Sequence, residues 1–179
     1  MKEKEEKALV LDYLPYGYPL EKKMMPIAQA VGVKNLTLLE IVPRRGIKLD
    51  PNEEVYIGEG KRDKVYYILG RLKFDKLTET GKSILKEFID KQIKDNEQKF
   101  VDFFNTADPI NTRLHQLELL PGFGKKHTIA IIEERKKKPF KDLEDLKKRV
   151  SNLPDPKNAI SKRITSEISG QERYNLFTN

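Results

Sequence analysis

The spacing of apolar and polar positions changes once along this chain, near residue 75. Before that point, short apolar runs alternate with turns rich in Gly and Pro. Ala8 to Leu14 predicts a strand, and Asn35 to Val42 predicts another, ending at Pro43-Arg44-Arg45-Gly46. Glu54 to Ile57 predicts a third, set between Asp50-Pro51-Asn52 and Gly58. Val65 to Phe74 predicts a fourth, opened by the charged turn Gly60-Lys61-Arg62-Asp63. Pro15-Tyr16-Gly17-Tyr18-Pro19 reads as a loop, and Met25 to Val31 as one short helix. The run from Lys2 to Lys7 alternates in sign and reads as a frayed tail. Short strands about ten residues apart, with such turns between them, predict a small β barrel or sandwich.

After residue 75 the period becomes helical. Ile84, Leu85, Phe88, Ile89, Ile93, Phe100, Phe103 and Phe104 recur at helical spacing, which predicts one long helix over 79–104. Asp108-Pro109 ends it, because proline disfavours helix in the residue before it. Further helices are expected over 112–120, 125–138, 142–150 and 157–168, with Gly170 as the last stop and the final nine residues as a tail. The boundary between the two regimes gives domains at 1–77 and 78–179.

Composition narrows the chemistry. Hydrophobic residues make up 37% and charged residues 35% of the 179. Typical globular chains hold about 45–50% and ~25%. That mix favours two small domains over one thick core. No cysteine is present, which removes disulfide frameworks, cysteine-ligated zinc and thiol chemistry together. His115 and His127 lie apart without a carboxylate cluster, so no metal site is assigned. No signal peptide or membrane span is apparent, and a soluble cytoplasmic protein is expected. The net charge is +7 and the pI about 9.3, which points to an anionic partner. Residues 1–80 carry 15 basic and 13 acidic side chains, whereas residues 81–179 carry 20 and 15. The basic excess therefore belongs mostly to the helical half.

Within that half, Leu117-Glu118-Leu119-Leu120-Pro121-Gly122-Phe123-Gly124-Lys125-Lys126 reads as helix, tight hairpin and helix. Gly122 and Gly124 tolerate positive φ and leave the backbone open to a ligand. The amides opening the following helix lack intrahelical acceptors and sit at its positive end, which suits a phosphate. Lys125 and Lys126 add two charges there, and Phe123 is expected to turn inward and lock the hairpin. Arg135-Lys136-Lys137-Lys138 follows on the same helix. This segment resembles the helix-hairpin-helix motif of nucleic-acid-binding proteins, with Thr128 where that motif usually has Ala. The resemblance implies sequence-independent contact with a sugar–phosphate backbone. It also implies a monovalent cation at the hairpin carbonyls near Leu120–Gly122; no other cofactor is expected. A degenerate second hairpin is expected at 153–157, where both glycines are absent and Asp155 is acidic.

A wider resemblance covers nearly the whole chain. It rests on Val10-Leu11-Asp12-Tyr13-Leu14-Pro15, Thr37-Leu38-Leu39-Glu40-Ile41-Val42-Pro43, Val55-Tyr56-Ile57-Gly58, the run Thr112 to Gly122, and Glu172-Arg173-Tyr174-Asn175-Leu176-Phe177. On these cues the chain resembles an archaeal family of unknown function that joins an OB-like barrel to a tandem helix-hairpin-helix domain. The expected fold class is thus α+β, with the barrel first and the all-α domain second.

An OB-like barrel would offer stacking aromatics and basic loops to a single strand. Tyr13, Tyr16, Tyr18, Tyr56, Tyr66 and Tyr67 are candidates, with Tyr16 and Tyr18 favoured as exposed. Arg44, Arg45, Lys48, Lys61 and Arg62 supply loop charge. Lys157, Lys162 and Arg163 could add backbone contacts from the last helix. The functional expectation is a non-enzymatic binder of DNA or structured RNA, with no catalytic residue and no small-molecule substrate assigned. An adaptor that binds protein and, less favoured, a nuclease or glycosylase remain open beside it.

Overall fold

The computed structural model describes residues 3–178. The chain is a mixed α+β protein that divides into two compact units. One takes in the chain up to Glu87 and the return from Glu167; the other spans Phe88–Ser166. Among the described residues, no helix is long and apolar enough to cross a membrane.

The first unit is built on a curled, five-stranded antiparallel sheet. Its strands are β1 (Lys7–Leu14), β2 (Ile27–Gly32), β3 (Leu38–Pro43), β4 (Glu54–Tyr56) and β5 (Val65–Arg71). Their order is β4-β1-β2-β3-β5, and every pairing is antiparallel. The edge strands β4 and β5 consequently run in the same direction. One face gathers Ala8, Val10, Ala28, Ala30, Leu39, Ile41, Leu49, Val55, Ile57 and Val65 into a core. Alternation along the strands supplies most of this set, and Leu49 and Ile57 join it from the segments beside β4. The small alanines of this core lie on β1 and β2.

The structure corrects the short helix expected over Met25 to Val31: Ile27–Gly32 is β2. Its alternating Ala residues favour helix by intrinsic propensity. Pairing on both edges with β1 and β3 decides the outcome, and every residue of the strand is buried. Gln29 is fully buried within it. Its Nε2 donates to Lys76 O (2.8 Å) and its Oε1 accepts from Thr78 N (3.1 Å). That pair of bonds fixes the segment leading into the first helix. The expected tails are also tied down. Glu5 accepts the Lys34 and Asn35 amides (3.0 and 2.7 Å), and Asn35 donates to Glu3 O (2.8 Å); Lys2 lies outside the described residues. At the other end the buried Glu167 carboxylate accepts the amides of Leu176, Phe177 and Thr178 at 2.6–3.0 Å.

The remaining helices are α1 (Glu79–Asp95), α2 (Glu97–Thr106), α3 (Lys125–Lys137), α4 (Leu143–Arg149) and α5 (Pro156–Ile168). The single helix expected over 79–104 is therefore two. Asn96 breaks it at φ −122° and ψ 37°, and its amide donates to Gln92 O at 3.0 Å. The helix expected over 112–120 is absent. A two-stranded hairpin, β6 (Pro109–Asn111) and β7 (Leu114–His115), leads into a 3-10 turn at Gln116–Leu119. Local side-chain bonds outcompete helix there. Asn111 Oδ1 accepts Arg113 N (2.8 Å), His115 Nδ1 accepts Leu117 N (3.1 Å), and Glu118 accepts His115 N (2.8 Å). The second unit buries Phe100, Val101, Phe104, Leu117, Leu120, Phe123, Ile131, Leu143, Leu146, Ile160 and Ile164.

Candidate nucleic-acid interface

The hairpin joins the 3-10 turn to α3. Phe123 N donates to Leu120 O (3.0 Å), closing a tight turn across Pro121 and Gly122. Gly122 has φ +82°, where an L side chain is strained, and an added Cβ would lie 3.1 Å from Pro154 Cγ. Glycine at 122 is thus required by the fold itself. Phe123 is buried with its ring centroid 6.1 Å from that of Phe104, so it offers a ligand only its backbone. Of the carbonyls to which the motif assigns a cation, Leu120 O already holds the Phe123 N–H and keeps its second lone pair.

Gly124 differs from Gly122. Its φ of −112° and ψ of −169° suit any residue, and nothing lies within 4 Å of an added Cβ. It is the N-cap of α3, and its carbonyl accepts both the amide and the hydroxyl of Thr128 at 3.0 Å. Thr at 128 thus finds a partner where a smaller residue was expected. The Gly124 amide is not free, however: it donates to His127 Nδ1 at 3.2 Å. His127 Nε2 lies 3.0 Å from Asn152 O, and a carbonyl can only accept, so this nitrogen carries the proton. His127 thereby bridges the hairpin to the turn after α4, a role that its sequence position did not signal. The amides of Lys125, Lys126 and His127 have no acceptor among the described residues. The Lys125 and Lys126 side chains are exposed there, without an ion pair among the described residues.

The remaining basic candidates scatter. Arg135 donates from Nη1 to Phe104 O (3.1 Å) and so closes the end of α2. Lys137 pairs with Glu134 at 2.7 Å, while Lys136 and Lys138 are exposed. All four stand at the C-terminal end of α3, opposite the hairpin. For 13 residues that separation is about 20 Å. Cations at that end also suit the helix dipole. Arg163 is buried and donates to Leu119 O (3.1 Å), which supports the first arm of the hairpin from within. At the expected second hairpin, Asp155 accepts the Asn158 amide (3.1 Å) and Pro156 opens α5, so a carboxylate already occupies that helix start.

Two further residues mattered more than the sequence suggested. Arg149 donates from Nη2 to Glu134 O and Lys138 O at 2.6 Å each, and from Nη1 to Asp145 (3.1 Å) and Pro139 O (3.3 Å). Its guanidinium also lies 4.5 Å from the Phe140 ring centroid. It holds the link between α3 and α4 in place. His115 is buried with Nε2 lacking a partner among the described residues. Burial, then the nearby Arg135 charge, pull its pKa below the usual value against the opposing Glu118 and Asp108.

In the first unit Tyr16 is exposed and Tyr18 is half-buried. Burial pushes the Tyr18 hydroxyl up to about 12, and Gln29 Nε2 lies 3.3 Å from it. Lys76 Nζ lies 4.8 Å over its ring. Arg44 and Arg45 are exposed in the turn after β3.

A family described as "Protein of unknown function (DUF655)" matches residues 4–179 of the chain. The "Uncharacterized protein MJ0038" of Methanocaldococcus jannaschii is 43% identical over 175 residues, covering 97% of this chain and 79% of that protein. The crystal structure of Af1531 from Archaeoglobus fulgidus, described with the same family, matches with a TM-score of 0.84 at 49% identity. That match covers 98% of this chain and all of the other. The chain belongs to the DUF655 family.

Proposed function

We propose that this protein is a non-enzymatic nucleic-acid-binding protein, for DNA or structured RNA, that grips the phosphate backbone with the hairpin Leu120–Gly124. In this reading the 3-10 turn, hairpin and α3 act as a helix-hairpin-helix with a shortened first arm. The carrying observation is Gly124, a glycine that neither backbone strain nor crowding requires, beside three amides without acceptors and two exposed lysines. A phosphate oxygen fits that opening because it accepts from the amides and meets the positive helix end. The sheet serves as an OB-like platform for further contact with a strand. Its order supports this, with β1 flanked by β2 and β4, and β5 placed beside β3. Gly124→Ala tests the reading directly. It should cost at most about 1 kcal/mol of stability, the loss of a glycine N-cap, leave the fold intact, and weaken nucleic-acid binding about tenfold, read by fluorescence anisotropy. Unchanged affinity would remove the hairpin from the interface.

One observation favours an adaptor as the second reading. The loop between β1 and β2 exposes Tyr16 by 72%, Leu20 by 99% and Met24 by 79%. Leu and Met do not stack on bases as aromatics do, so such a tip suits a protein surface.

A further inference from the structure

Two arginines of the first unit are oriented by the backbone. The turn after β3 meets the end of the loop between β4 and β5, where Arg44 N donates to Lys64 O (2.8 Å). Arg44 Nε donates to Arg62 O at 2.7 Å, and Arg62 Nε donates to Gly58 O at 2.7 Å. The loop that carries Arg62 is folded over Tyr56. The Tyr56 hydroxyl accepts the Gly60 amide (3.0 Å), and its ring occupies the place of a Cβ on Gly58. Each guanidinium is thus held by Nε alone. Among the described residues its two Nη groups have no acceptor and no carboxylate lies within ion-pair distance of either arginine, although Lys4, helped by the Arg62 charge, holds the Glu59 carboxyl below its usual range.

The nearest acids are largely committed elsewhere. Glu59 pairs with Lys4 (2.8 Å), Glu53 pairs with Lys64, and Asp50 reaches Lys48 at 4.0 Å. Asp63 is the exposed exception. Arg45 and Lys61 flank the pair and are exposed. Arg62 also faces a cleft of about 1230 Å³, floored by Leu39, Ile57 and Ile68 and edged by Arg71. Of the four glutamates lining it, Glu3 and Glu59 pair with lysines and Glu5 accepts backbone amides, which leaves Glu6.

A guanidinium pinned by Nε presents its Nη pair as a fork matching two oxygens of a phosphate. We propose that Arg44 and Arg62 form a second phosphate site, a clamp for the backbone of a single nucleic-acid strand passing the mouth of this cleft. The proposal rests on the nucleic-acid reading above and adds to it a contact separate from the hairpin. Arginine geometry carries the site, since a lysine in either place keeps the charge but loses both the Nε anchor and the fork.

The probe is a fluorescein-labelled oligo-dT of about a dozen nucleotides, the scale of one OB-sized site, bound to the full chain at low salt. Arg44→Lys with Arg62→Lys is expected to lose at least about tenfold in affinity at unchanged net charge. A loss below about twofold overturns the clamp and leaves the hairpin reading standing. No binding of this single strand by the wild type overturns the clamp and leaves the hairpin reading to its own test on duplex and structured nucleic acids. The Arg44 Nε anchor ties two loops together, so a second measurement needs no substitution. In an arginine Nε–H correlation spectrum of the wild type, the Arg44 and Arg62 resonances should shift on adding the oligonucleotide. Binding without those shifts overturns the clamp.

Discussion

Gly122 and Gly124 stand two residues apart and have different reasons to be glycine. The first is held at positive φ against Pro154; the second is unstrained and open. The sequence showed both as glycines of one motif and could not separate the demand of the fold from room for a ligand. Gly122→Ala should therefore destabilise the protein by about 1–2 kcal/mol, the usual cost of a left-handed conformation for an L residue, measured by urea unfolding. Gly124→Ala adds no backbone strain and should cost less, at most about 1 kcal/mol for the weaker N-cap. His115 gives a second residue-scale prediction. Its folded pKa is lowered, by burial first and Arg135 second, so below about pH 6.5 the unfolded chain binds a proton that the folded chain does not. Stability should fall as pH drops from that value toward the lowered folded pKa. His115→Asn keeps an acceptor for the Leu117 amide and should flatten this part of the pH profile. Both phenylalanines of the hairpin core were legible as apolar positions, but Arg135 was not legible as a helix-end ligand. A charge run in a sequence carries no record of which member meets a carbonyl.

Among the elements, periodicity located those whose burial follows their own pattern. β1, β4, α3, α4 and α5 lie close to their expected bounds. It failed where tertiary pairing or side-chain capping decides. β2 is a strand because two neighbours pair with it, and 109–119 is a hairpin and 3-10 turn because Asn111, His115 and Glu118 satisfy local amides. The link between α3 and α4 depends in the same way on one side chain, Arg149, which donates to three carbonyls and a carboxylate. Replacing it with Met should cost about 2 kcal/mol in urea unfolding, since charged hydrogen bonds of this kind are lost together. Lys should restore little of that, because an ammonium has no planar fork to span those acceptors. Full stability in Arg149→Lys would show that the charge alone suffices.

Within the second unit, the basic excess counted in the sequence is not all gathered at the hairpin. Part of it is consumed internally by Arg135, Arg149 and Arg163. Part stands at the far end of α3. What remains at the hairpin is Lys125 and Lys126, and in the sheet unit the Arg44 and Arg62 pair. The α+β class and the change of regime along the chain were legible because strand and helix periods differ. The distribution of charge was not, because it depends on contacts between distant residues. The decisive measurement is a salt-titrated anisotropy comparison of single-stranded DNA, duplex DNA, a four-way junction and a structured RNA, using the wild type and Lys125→Ala with Lys126→Ala. The wild type should bind at least one of them with log affinity falling linearly in log salt. Removing two phosphate contacts should weaken binding and make that slope shallower by about 1.4–1.8. Absence of binding to all four at low salt, or an affinity and slope untouched by the two substitutions, would contradict the hairpin's role.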